Sequence, residues 1–274
     1  AYSGVVNART APAALGRGVA VVKERGEYNI SPSVSPDGRL MAYFSSRGLF
    51  GVDLYVAEVA SGRVVRQLTS VTRNAHFDAL SFISSAGTWS PDGSQLAYVA
   101  YTQGDNELNI VNARSGRVAR RITVPGVTAM SDPSWSPDGS KIAFSGFKGG
   151  LSDLYVYDLA SGQARQLTND REAQVQPTWS ADNARLAYVT DADADFAALQ
   201  FAPMRLAMID VATGSVELVP RTGRGKHINP QFAADGQSLY FVADHEGVSD
   251  VYQRSLVTGE VRRVTAIATG VSGI

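Results

Sequence analysis

The chain has 274 residues, 44% of them hydrophobic and 19% charged, with a formal net charge of −1. That is apolar enough for a sizeable core, and there is no long basic run for non-specific nucleic-acid binding and no apolar run of about 20 residues to span a bilayer. Cysteine is absent, which excludes disulfides, thiolate nucleophiles and cysteine-ligated metals.

The opening residues are small, and the first clear element is SVSPDGRLMAY from Ser33. Four near-copies follow: TWSPDGSQLAY from Thr88, SWSPDGSKIAF from Ser134, TWSADNARLAY from Thr178 and QFAADGQSLYF from Gln231. Their aspartates, Asp37, Asp92, Asp138, Asp182 and Asp235, are spaced by 55, 46, 44 and 53 residues. This is roughly the period of a four-stranded propeller blade.

Within each copy the elements come in a fixed order. A short extended run ends at Val34, Trp89, Trp135, Trp179 or Phe232. The Ser-Pro-Asp-Gly signal then predicts a type I turn. A second strand follows as a nearly continuous apolar run, such as Ile142-Ala143-Phe144, which suits a strand buried between packed sheets. The third strand begins at Asp53, Glu107, Asp153, Arg205 or Asp250 and runs into a hairpin with Ser-Gly or Thr-Gly at its turn, where glycine supplies positive φ. The fourth strand alternates polar and apolar, as in QARQLT from Gln163, the pattern of an edge with one wet face. No segment keeps a helical apolar period, so the class is all-β.

Blades are therefore expected at about 31–70, 86–125, 131–169, 175–220 and 228–266, in a single propeller domain over 1–274. Val22-Lys23 precede Pro32 at the same intervals at which Leu167-Thr168 precede Pro177. Residues 1–30 thus read as strands of a partial sixth blade, Gly4–Ala8 third and Val19–Lys23 fourth. The expected architecture is a six-bladed ring with five complete blades.

Enzymatic signatures are missing. Gly270-Val271-Ser272-Gly273 is one residue out of step with a G-x-S-x-G nucleophile elbow. His76, His227 and His245 are the three histidines, and H-E-x-x-H does not occur. Asp191-Ala192-Asp193-Ala194-Asp195-Phe196 starts like a calcium loop, but Phe196 stands where glycine is needed and Ala202 where a glutamate belongs. The three tryptophans occupy one repeat position, so packing explains them better than ligand stacking. No cofactor is expected.

What escapes the repeat is a set of loops. Thr72–Phe82 carries Arg73, His76 and Asp78; Asp132 and the stretch Lys226, His227 and Asn229 lie at other blade junctions. Arg47, Lys148 and His245 fall in loops between second and third strands. The insertion Asp191–Pro203 adds Phe196, Leu199 and Phe201, apolar residues that the repeat does not require. Polar loops on a rigid scaffold suit binding; the alternative reading of Lys226 and His227 is that they tie neighbouring backbone together.

The pattern PxWSPDGxxIAFxS…DLYVxDLxSGxxRQLT, clearest over Pro133–Thr168, resembles the TolB-type propeller repeat and covers about residues 20–265. The resemblance implies a periplasmic or otherwise extracytoplasmic, non-enzymatic scaffold that docks protein partners, such as an accessory subunit on an integral membrane complex of the cell envelope. Similar repeats also form the gating propellers of prolyl oligopeptidase-like hydrolases and the propellers of oligogalacturonate lyases. A non-catalytic propeller of a larger hydrolase and a small-ligand or metal-binding propeller are the alternatives.

Overall fold

The computed structural model of the chain describes residues 28–48, 51–70, 77–80, 86–102, 105–194, 202–267 and 270–271. Every regular element among them is a β-strand, and no helix there is long and apolar enough to cross a membrane. The strands form five antiparallel blades of the propeller type. The first contains β1 (Asn29–Val34), β2 (Leu40–Gly48), β3 (Gly51–Glu58) and β4 (Val64–Gln67). In the second, an inner strand in two pieces, β5 (Phe77–Leu80) and β6 (Thr88–Trp89), pairs with β7 (Gln95–Thr102), followed by β8 (Asp105–Asn112) and β9 (Val118–Ile122). The third contains β10 (Ala129–Trp135), β11 (Lys141–Lys148), β12 (Leu151–Asp158) and β13 (Gln163–Gln166). The fourth contains β14 (Gln174–Trp179), β15 (Arg185–Thr190), β16 (Arg205–Asp210) and β17 (Val216–Leu218). The fifth contains β18 (His227–Phe232), β19 (Ser238–Ala243), β20 (Asp250–Ser255) and β21 (Val261–Arg263). The strands expected for a sixth blade, Gly4–Ala8 and Val19–Lys23, lie outside the described residues.

The chain divides into two compact units, one holding the first three blades and the other the fourth and fifth. In the first unit, the apolar second and third strands pack blade against blade. Phe44, Leu54, Trp89, Leu96 and Tyr98 fill one seam, and Ile110, Met130, Trp135, Ile142 and Phe144 the next. In the second unit, Leu206, Leu239 and Phe241 belong to one core with Val175 and Ile228 against it. The tryptophans are 5–9% exposed, so their shared repeat position is a packing position. Val34, at that position in the first blade, is instead 52% exposed.

The S-P-D-G stretch is a turn. In the third blade Gly139 N donates to Ser136 O, and Ser136 Oγ donates to Asp138 Oδ1 at 2.6 Å. Lys141 N returns a bond to Ser136 Oγ at 2.9 Å. The glycine has φ near +70° in four blades, and Asn183 takes that conformation at 61° in the fourth. Turns of neighbouring blades also touch, since a Cβ on Gly139 would lie 3.8 Å from the Pro91 ring.

A second local device sets the inner strands. Ser31, Asp132, Gln176 and Asn229 each have φ of 50–56°, each precedes a proline, and each falls at a register shift. These are bulges that re-aim the strand, and a left-handed non-glycine residue costs about 1–3 kcal/mol. Some of that is offset by bonds across the seam. Asn229 N donates to Gln176 Oε1 at 2.9 Å, and Ala86 N to Ser31 O at 3.2 Å.

Candidate functional site

The residues that look most chemical are the turn carboxylates, and their partners are local. Ser35, Ser90 and Ser180 hydroxyls hold Asp37, Asp92 and Asp182 below the usual carboxylate range. Burial pushes Asp138 upward, but Ser136 and Ser140 outweigh it and the carboxyl ends lower. Asp53, 3% exposed and the third residue of β3, accepts from Thr69 Oγ1 and Gln67 Nε2 at 3.1 and 3.0 Å. Asp250 is matched in the same way by Thr265 Oγ1 at 3.0 Å. The D-L-Y-V and Q-L-T motifs are thus two halves of one bond between third and fourth strands.

The fourth blade inverts this charge. Arg205 replaces the aspartate and Pro220 the threonine, a register fixed by Val219 N donating to Leu206 O as Leu68 N does to Leu54 O. The anion comes from the insertion instead: Asp193 pairs with Arg205 at 2.6 Å and with Arg221 at 2.8 Å. Asp193 is therefore an anchor of this loop.

In the second unit the structure brings together two of the expected site residues. His227 is the first residue of β18 rather than part of a loop, because its backbone pairs with Ala243. Its ring stacks on His245 at 6.4 Å and on Phe241 at 5.5 Å, while His245 lies 4.6 Å from Tyr252. His227 is 3% exposed, and its Nε2 faces Thr222 Oγ1 at 2.8 Å. Burial pushes the imidazole down to about 4, helped by the charges of Arg221 and His245. Lys226 N donates to Asp244 Oδ1 at 2.9 Å, and Gly225 approaches so closely that a Cβ there would be 2.3 Å from that oxygen. Among the described residues no three histidine, aspartate or glutamate groups converge as a metal site requires. Lys226 and His227 thus contact the neighbouring hairpin of their own blade through Asp244 and His245, and Asn229 bonds Gln176 of the fourth blade.

The remaining candidates divide. Arg73, His76, Phe196, Leu199 and Phe201 lie outside the described residues, and so does the side chain of Asp78, whose backbone belongs to β5. Asp132 sits inside β10 at the bulge, not in a junction loop, and accepts from Ser131 Oγ at 2.9 Å. Arg47 and Lys148 fall at the ends of β2 and β11, because the hairpins are tighter than the sequence suggests. Both are exposed, and the Arg47 guanidinium lies 5.7 Å from the Tyr55 ring centre.

The sequence reading missed the neighbours of those two cations. Tyr28, Tyr101 and Phe147 are 72%, 40% and 44% exposed, and they are the only large exposed aromatics among the described residues. Each belongs to the hairpin end of a different blade in the first unit. Phe147 and Tyr101 share one register, and Tyr28 is bonded to Ser46, which holds that register in the first blade. The second and third ends adjoin. Asn106 pairs with Tyr101 and accepts from Met130 N at 2.9 Å, beside the Ala129–Phe147 pair. In the fourth and fifth blades the same register carries Asp191 and Asp244, both accepting from junction amides. The sequence signal was this variable position four residues after the alanine of the second strand in the first four blades.

Residues 79–196 match the family model of the TolB β-propeller domain. The resemblance read from the repeat is borne out. Among solved structures, TolB from Acinetobacter baumannii is 20% identical with a TM-score of 0.61, the match covering 88% of this chain and 53% of that one. A putative TolB from Agrobacterium tumefaciens is 20% identical with a TM-score of 0.69, over 90% of this chain and 83% of that one. An oligogalacturonate lyase in complex with manganese is 17% identical with a TM-score of 0.62, over 85% and 64%. At these identities the likeness is one of fold. The chain spans about half the length of the first of these proteins and under two thirds of the lyase. No curated protein matches it.

Proposed function

We propose that this TolB-type propeller is a non-enzymatic, extracytoplasmic docking module that meets a protein partner through the hairpin ends of its first three blades. One observation carries the reading: every large exposed aromatic of the described residues lies at that end, beside Arg47 and Lys148. Tyrosine, phenylalanine and arginine are the side chains enriched at interface cores. The turn carboxylates and the histidines of the fifth blade have local partners and belong to the scaffold. Family resemblance supports the extracytoplasmic setting and an accessory role on an envelope complex.

The test is site-specific photo-crosslinking in the native cell. A photoreactive side chain at Phe147 or Tyr101 should capture a discrete protein, and one at Val216 or Val257, exposed in the other unit, should not. Capture only from Val216 and Val257 would overturn the reading. So would turnover of oligogalacturonate by the purified chain with manganese.

A further inference from the structure

We propose that the outer edge of the second blade is a docking strand for a segment of a partner protein in which acidic and apolar residues alternate. This surface is separate from the hairpin ends, and neither reading rests on the other.

The first observation is charge. Arg114, Arg117, Arg120 and Arg121 occur within eight residues that contain no acid. All four are exposed, and none has an ion pair among the described residues. The outer strand of the first blade adds to them. Arg66 Nε donates to Arg114 O at 3.1 Å, with its stem lying over Gly116. Arg63 pairs with Glu58, whose carboxyl the Ser61 hydroxyl and then Arg63 hold below its ordinary range, with the charge of Arg114 assisting. Arg121 lies near Glu107 beside Tyr98. A chain of net charge −1 therefore gathers six guanidinium groups and two carboxylates at one rim. The other outer strands differ. β17 carries Glu217, and Arg262 and Arg263 of β21 are bonded to Gln253 and Glu246.

The second observation is the edge itself. β9 pairs with β8 on one side only, and its residues Val118 to Arg121 are exposed. At five residues it is the longest outer strand among the described residues, the others there having three or four. Its outward N–H and C=O groups can extend the ladder, which is strand addition. Charged edges ordinarily repel other strands; this one repels any except an acidic one.

The third observation gives the alternation. Arg121 pairs with Asn109 and lies on the face toward the first blade. Arg120 pairs with Ile110 on the opposite face, where its Nη1 is held by Leu159 O at 2.6 Å. There a groove of about 200 Å³ opens, lined by Gln95, Ile110, Ala119, Arg120, Trp135 and Leu159. Successive side chains of an added strand point to opposite faces. The register shifts at Ala119, so Arg121 shares its face with Val118; one set would meet Arg121, and the other would enter the groove beside Arg120 and Trp135. Lipid headgroups and polysaccharides can satisfy the arginines but not the ladder or the groove.

The probe is a short synthetic peptide alternating Asp and Val, its affinity measured by fluorescence anisotropy and its footprint by amide hydrogen exchange. It should bind and protect the amides of β9. A peptide of the same composition with the aspartates in one block should bind about tenfold more weakly, as should the R117E/R121E variant with the alternating peptide. That variant should instead take an alternating Lys–Val peptide, which also shows that it is folded. Ala119→Trp, which fills the groove, should weaken the acidic peptide without reversing its charge preference. The proposal is overturned by absent binding, by equal binding of the blocked peptide, or by binding without protection of β9. It is equally overturned if phosphatidylglycerol vesicles or a DNA duplex compete through the same arginines as strongly as the peptide, which would make the rim a general anion surface.

Discussion

Single atoms decide which polar groups are scaffold. Ser136 is fully buried, and its oxygen both donates to Asp138 and accepts from Lys141 N. Ser136→Ala leaves that amide without its acceptor and should cost about 1–3 kcal/mol of unfolding free energy, read from urea denaturation. His227 gives a pH dependence whose sign follows from burial. The folded chain holds the imidazole neutral down to about 4 from an ordinary 6.5, so the unfolded chain binds the proton first. Stability from this group is complete above pH 6.5 and falls as the pH drops towards 4, by about 3 kcal/mol in all. His227→Gln should flatten that part of the stability curve while leaving the further loss at lower pH. That later loss belongs to turn carboxylates such as Asp92 and Asp182, whose lowered values make their contribution present above about 3.8 and lost as the pH falls through the folded values. An unchanged slope in the variant would show that His227 is not the group responsible.

At the level of strands and blades, the repeat was legible because each of its positions answers to local physics: a turn, an apolar run, a hairpin glycine. The site was less so, for reasons visible in particular residues. Asp53 and Thr69 meet across strands sixteen positions apart, a pairing no local pattern announces. Tyr101 and Phe147 have the same composition as core residues, and only their register on the far side of the second strand exposes them. His227 follows Lys226 in a stretch that ends at Pro230 and read as a loop residue, yet pairing with Ala243 makes it strand. The fourth blade offers the sharpest test of the pairing rule, because Arg205 and Pro220 occupy the places of Asp and Thr. Arg205→Asp alone puts a second carboxylate near Asp193 and leaves it without the threonine, so the unfolding free energy should drop by about 2–4 kcal/mol. Arg205→Asp with Pro220→Thr rebuilds the bond seen between Asp53 and Thr69 and should recover part of that loss. Equal instability of the single and double variants in a chemical melt would show that the blades do not share this device.

Across the molecule, stability and docking should be separable, because they use different positions of the same repeat. Phe144 is wholly buried and stacks on Tyr155 with ring centres 5.5 Å apart; Phe144→Ala should cost about 3–5 kcal/mol. Phe147, three residues along the same strand, is 44% exposed. Replacing it with Ser, together with Tyr101→Ser, should change the unfolding free energy by no more than about 0.5 kcal/mol per site. The same pair should sharply reduce the yield of a partner captured from Tyr28, which stays in place at the first blade's hairpin end. Measured on one set of purified variants, urea midpoints and crosslink yields should therefore fall on separate axes. If Tyr101→Ser and Phe147→Ser instead lower the midpoint as Phe144→Ala does, the aromatics are structural and the hairpin ends lose their claim as the docking surface.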